Sequence, residues 1–310
     1  MTTRIRIGTR SSALALHQAN IVASTLAALG VESELVTYET VGDKKLDQPL
    51  SSIGGKGLFT AELESDLRNG ATDVAVHSLK DLPTDSPDGL MIAAVLPRED
   101  ARDALLIGPR IGGQSLRDLP TGSRVGTSSL RRRALVLAVR PDLEVVELRG
   151  NVPTRLRKLE EGQVHAAILA AAGLHRLGAA RHITGYMEPP DWLPAAGQGA
   201  IAVQARVDDA RVRALAESMN DAPTMLAVRA ERAFLAALEG GCQVPIGALV
   251  MSTADGLVLH GLIADVAGTR VVRGAIPLDE HSPESSGALL ASQLRAAGAT
   301  EILAGLERNQ

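Results

Sequence analysis

Short apolar runs alternate with longer amphipathic ones along the first hundred residues. RIRIG (4–8) predicts a strand ending in a turn, and Ser11 or Ser12 can cap the helix that follows. ELVTYET (34–40) predicts a second strand. SSIGGKGLFTAELESDLRNG (51–70) passes from a glycine-rich turn into a helix stopped by Gly70, and DVAVHS (73–78) and LMIAAVL (90–96) are further strands. Strands separated by helices predict a parallel, wound α/β sheet. PREDARD (97–103) brings charge and a proline and reads as a crossing between domains.

A second pattern of the same kind follows, with strands at ALLI (104–107), RVG (124–126), EVVEL (144–148) and AAILA (166–170), and helices beginning after Thr127 and Asn151. LPAAGQGAIAVQAR (193–206) reads as a second crossing that leads into a buried strand. From Pro223 a helix, three strand-like stretches and a terminal helix form an α+β pattern. The expected architecture is α/β: one lobe from 1–99 plus 200–217, a second from 100–199, and a small α+β domain over 218–310.

Composition narrows the function classes. The chain of 310 residues is 45% hydrophobic and 22% charged, ordinary for a globular protein. Two Phe, two Tyr and one Trp leave little for base stacking, and a net charge of −4 disfavours a nucleic-acid-coating role. No run of ~18 apolar residues predicts a membrane span. With a single cysteine and no leader-like apolar run, a cytoplasmic home is expected.

Charge gathers in one place. Residues 123–158 hold eight Arg and one Lys against one Asp and two Glu, a local +6 in an acidic chain. A solvated helix face is the ordinary meaning of such a run, but its placement points elsewhere. Thr127, Ser128 and Ser129 precede a helix whose first residues include Arg131 and Arg132, so hydroxyls, free N–H groups and guanidinium groups share one helix end. Asn151 caps the next helix, Pro153 lies in its first turn, and Arg149 and Arg155 flank the cap. Guanidinium groups bind carboxylates or phosphates in bidentate fashion, so the implied ligand carries several anionic groups.

Three further features invite chemistry. VHSLKDLP (76–83) ends a buried strand with His77, Lys80 and Asp81 together. GGKG (54–57) lacks the spacing of a P-loop. LEGGCQVPIG (238–247) sets the only cysteine, Cys242, behind two glycines on a loop. A free cysteine is usually a small buried hydrophobe, and this setting alone does not identify its chemistry. His175 and His182, seven apart without acidic or Cys partners, are expected at the surface, and no metal site is expected.

GTRSSALAL (8–16), GGKGLF (54–59), VHSLKDLP, GTSSLRR (126–132), LRGNVPTRL (148–156), GLHRLG (173–178), AAGQGA (195–200) and LEGGCQVPIG resemble, in order and over nearly the whole chain, the porphobilinogen deaminases, or hydroxymethylbilane synthases. The resemblance implies two lobes like type II periplasmic binding proteins and a third domain whose cysteine, here Cys242, anchors one dipyrromethane cofactor through a thioether. It implies a transferase of porphyrin biosynthesis that adds four porphobilinogen units to this primer. Each addition loses ammonia, and hydrolysis then releases hydroxymethylbilane. Asp81 would be the catalytic carboxylate, bonding pyrrole N–H groups beside the azafulvene cation. Lys80, Thr127, Ser128, Ser129, Arg131, Arg132, Arg149 and Gly150 would hold the cofactor with Asp81. Arg10, Ser12, Arg149, Arg155, Arg176 and Gln198 would bind substrate, with Lys56 and Phe59 on a covering loop. A monomer is implied, with porphobilinogen as the partner and neither nucleic acid nor membrane.

The chain departs from the pattern at Leu79 (often Met), Ala101 (often Pro) and Ser52 (Lys in some members), and Ser52 would weaken one loop contact. The alternative is a non-catalytic two-lobed binding protein for a polyanionic small ligand, which leaves the Gly-Gly-Cys loop without a role. A Cys-nucleophile hydrolase would need a paired His base, and no sequence feature ties one to Cys242.

Overall fold

The computed structural model describes residues 4–40, 60–238 and 244–307. Cys242, Lys56, Phe59 and Ser52 lie outside the described residues. The chain divides into two compact units, residues 1–99 with 199–225, and residues 100–198 with 226–310.

The first unit is built on a five-stranded sheet. Its strands are β1 (Ile5–Arg10), β2 (Ser33–Tyr38), β3 (Val74–Ser78), β4 (Leu90–Val95) and β10 (Ile201–Arg206), in the order β2-β1-β3-β10-β4. β1 runs parallel to β2 and β3, whereas β10 is antiparallel to both β3 and β4. The sheet is therefore mixed rather than parallel as expected. β10 enters directly from a crossing, without the intervening helix that would turn it parallel to its neighbours. Helix α1 (Ala13–Ala28) begins at Ser12, whose side chain accepts from the Ala15 N–H. Its buried face packs with Ile5, Ile7, Val74, Val76 and Val203. Helix α2 (Ala61–Arg68) places Leu63 and Leu67 in a second cluster with Ala75 and Leu90. Alternate residues of β3 thus feed opposite layers, which is why the strand reads as an unbroken apolar run.

The second unit repeats the topology. Strands β5 (Asp103–Ile107), β6 (Arg124–Gly126), β7 (Glu144–Val146), β8 (Ala166–Ala170) and β9 (Gly185–Met187) lie in the order β7-β6-β8-β5-β9. β5, the strand entered from the first crossing, is antiparallel to β8 and β9, so in both sheets the fourth strand is the one fed by a crossing. β9 has three residues and no alternation of its own, and it escapes sequence reading.

The rest of this unit is an antiparallel meander, β11 (Ile246–Thr253), β12 (Gly256–Ala264) and β13 (Val271–Pro277). Helices α7 (Ala222–Ala237) and α8 (Pro283–Leu294) share a core with it that includes Phe234, Leu259, Ile263 and Leu290. The expected terminal helix is two, because Gly298 at φ 112° breaks the run before α9 (Thr300–Glu307). Glu231 of α7 is buried and accepts from the N–H groups of Gly197 and Val250, tying the second crossing to β11.

Candidate functional site

Parallel strands end together, and the chain leaves them through loops and helix starts, so each sheet concentrates polar groups along the carboxyl edge of β1 and β3 or of β6, β7 and β8. In the first unit Arg10 is the last residue of β1, and Ser12 caps α1. β3 ends at Ser78 and runs into a single 3₁₀ turn, Leu79–Asp81, which carries Lys80 and Asp81, both half-buried. Arg10, Ser12, Gln18, Ser78 and Asp81 line one cleft, with Thr60 and His77 also on its wall. The Gln18 amide donates to Ser78 Oγ at 2.8 Å. His77 is buried, with Nε2 3.1 Å from Gln204 Oε1. Burial pushes the imidazole down to about 4, the bond to Gln204 opposes the shift, and the charge of Arg10 adds to it. His77 is therefore neutral near pH 7.

The second unit holds the arginine-rich edge. β6, β7 and β8 are parallel, and α3 (Leu130–Val139), α4 (Val152–Glu160) and α5 (Ala171–Arg176) start beyond their ends. Ser129 caps α3 by accepting from the Arg132 N–H, and Asn151 caps α4 by accepting from the Thr154 N–H at 3.0 Å. Gly150 has a φ of 110°, and a Cβ there would lie 2.7 Å from Thr154 Cγ2, so only glycine lets the chain fold back onto this cap. Arg149 is largely buried, with Nη1 3.9 Å from Glu147 Oε1, and its carbonyl accepts from Lys158 Nζ. Arg155 lies near the start of α4 and Arg176 ends α5, both half-buried.

Arg131 and Arg132 are buried, and both turn onto Asp103. Arg131 Nη1 donates to Asp103 Oδ2 at 2.7 Å and to the Leu193 carbonyl at 2.7 Å. Arg132 Nη2 donates to Asp103 Oδ1 at 2.7 Å, and its Nη1 to the Ile168 carbonyl. Trp192 Nε1 and Gln198 Nε2 each add a bond to the same carboxylate at 2.8 Å. Burial alone would raise the pKa of Asp103, but the two guanidinium groups hold it far below the ordinary carboxylate range. The two arginines and one aspartate leave this network one positive charge in excess. A buried positive excess is costly, and the Leu193 and Ile168 carbonyls offset part of it.

Arg131, Arg132 and Gln198 stand out in the sequence, but nothing local there marks the group that joins them. Asp103, the last residue of the predicted crossing 97–103, begins β5, and its register opposite Ala170 brings it to the edge where β8 ends. Gln198 is fully buried, and its amide also donates to the Ala101 and Arg102 carbonyls. The hydroxyls before α3 are engaged locally. Ser128 Oγ donates to the Leu148 carbonyl, and Thr127 Oγ1 accepts from the Ser129 N–H. His175 and His182, expected at the surface, are both half-buried, and His175 Nε2 lies 3.1 Å from the Tyr186 hydroxyl. Among the described residues no helix is long and apolar enough to cross a membrane.

Comparison with known proteins bears on both sites. Residues 5–214 match the family model of the porphobilinogen deaminase dipyrromethane cofactor binding domain, and residues 225–296 that of the porphobilinogen deaminase C-terminal domain. The chain is 50% identical over 303 residues to porphobilinogen deaminase of Geobacter sulfurreducens, covering 97% of this chain and 94% of that one. It is 47% identical over 311 residues to the enzyme of the same name from Syntrophobacter fumaroxidans, covering 99% and 100%. A crystal structure of a methionine-binding protein overlaps 76% of this chain and 94% of its own at 16% identity and a TM-score of 0.45, a likeness that carries no argument about function. The chain belongs to the porphobilinogen deaminase family.

Proposed function

We propose that this protein joins four porphobilinogen molecules head to tail, releases one ammonia at each addition, and frees hydroxymethylbilane by hydrolysis. The observation that carries the reading is the cofactor-domain match over residues 5–214, together with the C-terminal match beyond it. The donor set suits the chemistry. Each pyrrole unit brings an acetate and a propionate, and the second unit offers a buried guanidinium pair with net positive charge beside two capped helix starts. These residues fit a dipyrromethane primer held through Cys242. When bound, the primer supplies the pyrrole carbon to which the first unit is joined.

The chain's own residues bind, orient and stabilise. Asp81 accepts from pyrrole N–H groups and offsets the positive charge that develops as ammonia departs, which requires it to be ionised. Arg10 and Ser12, beside Asp81 on the same cleft, take substrate carboxylates. Arg149, Arg155 and Arg176 extend carboxylate binding along the second edge, and Gly150, which the cap beside Thr154 requires, adds a primer contact. Arg131 and Arg132 hold the primer's carboxylates at the margin of the Asp103 network, and Gln198 acts through that network. Lys80, Thr127, Ser128 and Ser129 add polar contacts, and Lys56 and Phe59 would add substrate contacts. The reading includes the three-domain division at 1–99 plus 200–217, 100–199 and 218–310. It also includes a monomer working in the cytoplasm.

The test is an intact mass. The purified protein should exceed the mass of its 310 residues by one dipyrromethane. The adduct should survive denaturation and thiol reductants, because a thioether, unlike a disulfide, is not cleaved by thiol exchange. Cys242→Ala should carry no adduct and make no product. A wild-type protein of bare mass that still makes hydroxymethylbilane would overturn the anchor role.

A further inference from the structure

We propose that His77 and Thr60 form, with Asp81, an acceptor subsite for the aminomethyl group of porphobilinogen, the group that leaves as ammonia. The inference rests on the functional reading above and concerns the wall of the Asp81 cleft nearest α2. A buried chain of side chains fixes the hydrogen-bonding sense of His77. Gln204 Nε2 donates to Glu64 Oε1 at 3.3 Å, so its Oε1 is the atom turned to His77, 3.1 Å away. Nε2 of the imidazole must then carry the proton, which leaves Nδ1 as an acceptor. Glu64, Gln204 and His77 are all buried, so water does not compete for these bonds.

Thr60 stands at the N-terminus of α2 but makes no side-chain cap bond, and its buried Oγ1 has no hydrogen-bond partner among the described residues. A buried hydroxyl without a partner is costly, and a bound donor offsets that cost. Both residues line the same cleft as Asp81, Arg10 and Ser12.

The ligand's chemistry matches this division. Porphobilinogen presents two carboxylates and one ammonium. Arg10 suits a carboxylate and repels an ammonium, whereas Asp81, the His77 Nδ1 and the Thr60 hydroxyl can all accept from an N⁺–H. In the reaction the C–N bond breaks with its electron pair going to nitrogen. Ammonia leaves with its three protons, and the positive charge passes to the pyrrole system beside Asp81. His77 accepts a hydrogen bond throughout and takes no proton. Its neutrality follows from burial and from the nearby charge of Arg10.

The experiment compares porphobilinogen with its methyl analogue, which keeps both carboxylates and replaces aminomethyl by methyl. His77→Phe and Thr60→Val should each lower kcat/KM for porphobilinogen about tenfold or more, the effect of losing a hydrogen bond to a charged group. The calorimetric Kd of the analogue should stay within about twofold of wild type on the same reasoning. Ligand-free Thr60→Val should melt no lower than wild type, and Thr60→Ser should keep wild-type kinetics. Equal losses for both ligands, or no loss for either, would overturn the subsite. Thr60→Val keeps the test decisive even if His77→Phe fails to fold. Absence of turnover by wild type would refute the functional reading itself, whereas wild-type turnover with equal losses refutes this inference alone.

Discussion

Replacing Asp103 by Asn isolates the charge at the centre of the second unit. The side chain is fully buried between Arg131 and Arg132, and its oxygens also receive the Trp192 indole and the Gln198 amide. Asparagine keeps the shape but brings an NH₂ donor to a point where donors already converge, and it leaves two adjacent buried cations without their anion. Removing one member of a buried pair costs about 3–5 kcal/mol. At roughly 2–4 °C per kcal/mol for a unit of this size, the melting midpoint should fall on the order of 10 °C. Trp192 is the sole tryptophan and donates to Asp103 Oδ2, so its fluorescence during urea unfolding reports on the network itself. The pH dependence has a definite sign. Arg131 and Arg132 outweigh burial and depress the folded-state pKa of Asp103. Its contribution is therefore complete above the unfolded value of about 3.9 and is lost as pH falls from there through the folded pKa. Wild type should weaken below about pH 4 in a way that the variant does not, so the gap between them narrows in acid. A variant within about 1 kcal/mol of wild type at neutral pH would refute the reasoning. So would a gap that stays constant down to about pH 2.

Asp81→Asn should fold normally but lose on the order of 10²–10³ in kcat, as for other preorganised electrostatic groups, in a single-turnover assay. Near-normal product formation would remove Asp81 from the chemistry. Arg155→Gln should stall elongation, because a carboxylate then enters without its counter-charge; an unchanged mass ladder of intermediates would count against it. Gly150→Ala should destabilise by about 1–3 kcal/mol, since it combines a φ of 110° with a Cβ 2.7 Å from Thr154 Cγ2. Thermal melting checks the loss, and Gly150→Ala with Thr154→Ser should recover part of it.

What could be read from the sequence was local. The strands at 124–126 and 166–170 appear where the apolar runs place them, and Ser12, Ser129 and Asn151 cap the helices that their positions announce. These features depend on neighbours a few residues away. The partner of Arg131 and Arg132 could not be read so, because Asp103 reaches them only through the antiparallel register of β5 with β8. Its single signal was an acidic residue heading a buried strand in a chain with an unbalanced arginine cluster. The resemblance gives Gln198 a substrate role, but its bonds to Asp103 and to backbone carbonyls depend on distant chain and have no local sign. His77 shares the cleft with Asp81, as their adjacency suggests, but its bond to Gln204 depends on distant chain that no local pattern announces.

The placement of β10 sets the order in which the chain can be built. Its register joins Ala202 to His77 on one side and to Val95 on the other, so the sheet of the first unit lacks an inner strand until residues 201–206 have been made. The second unit's sheet needs only residues 103–187 and is complete earlier. At about 5–20 residues per second, β3 and β4 of a nascent chain spend several seconds as open edges. Open edges invite pairing with other chains. The first unit's sheet is thus the one left incomplete longer during synthesis.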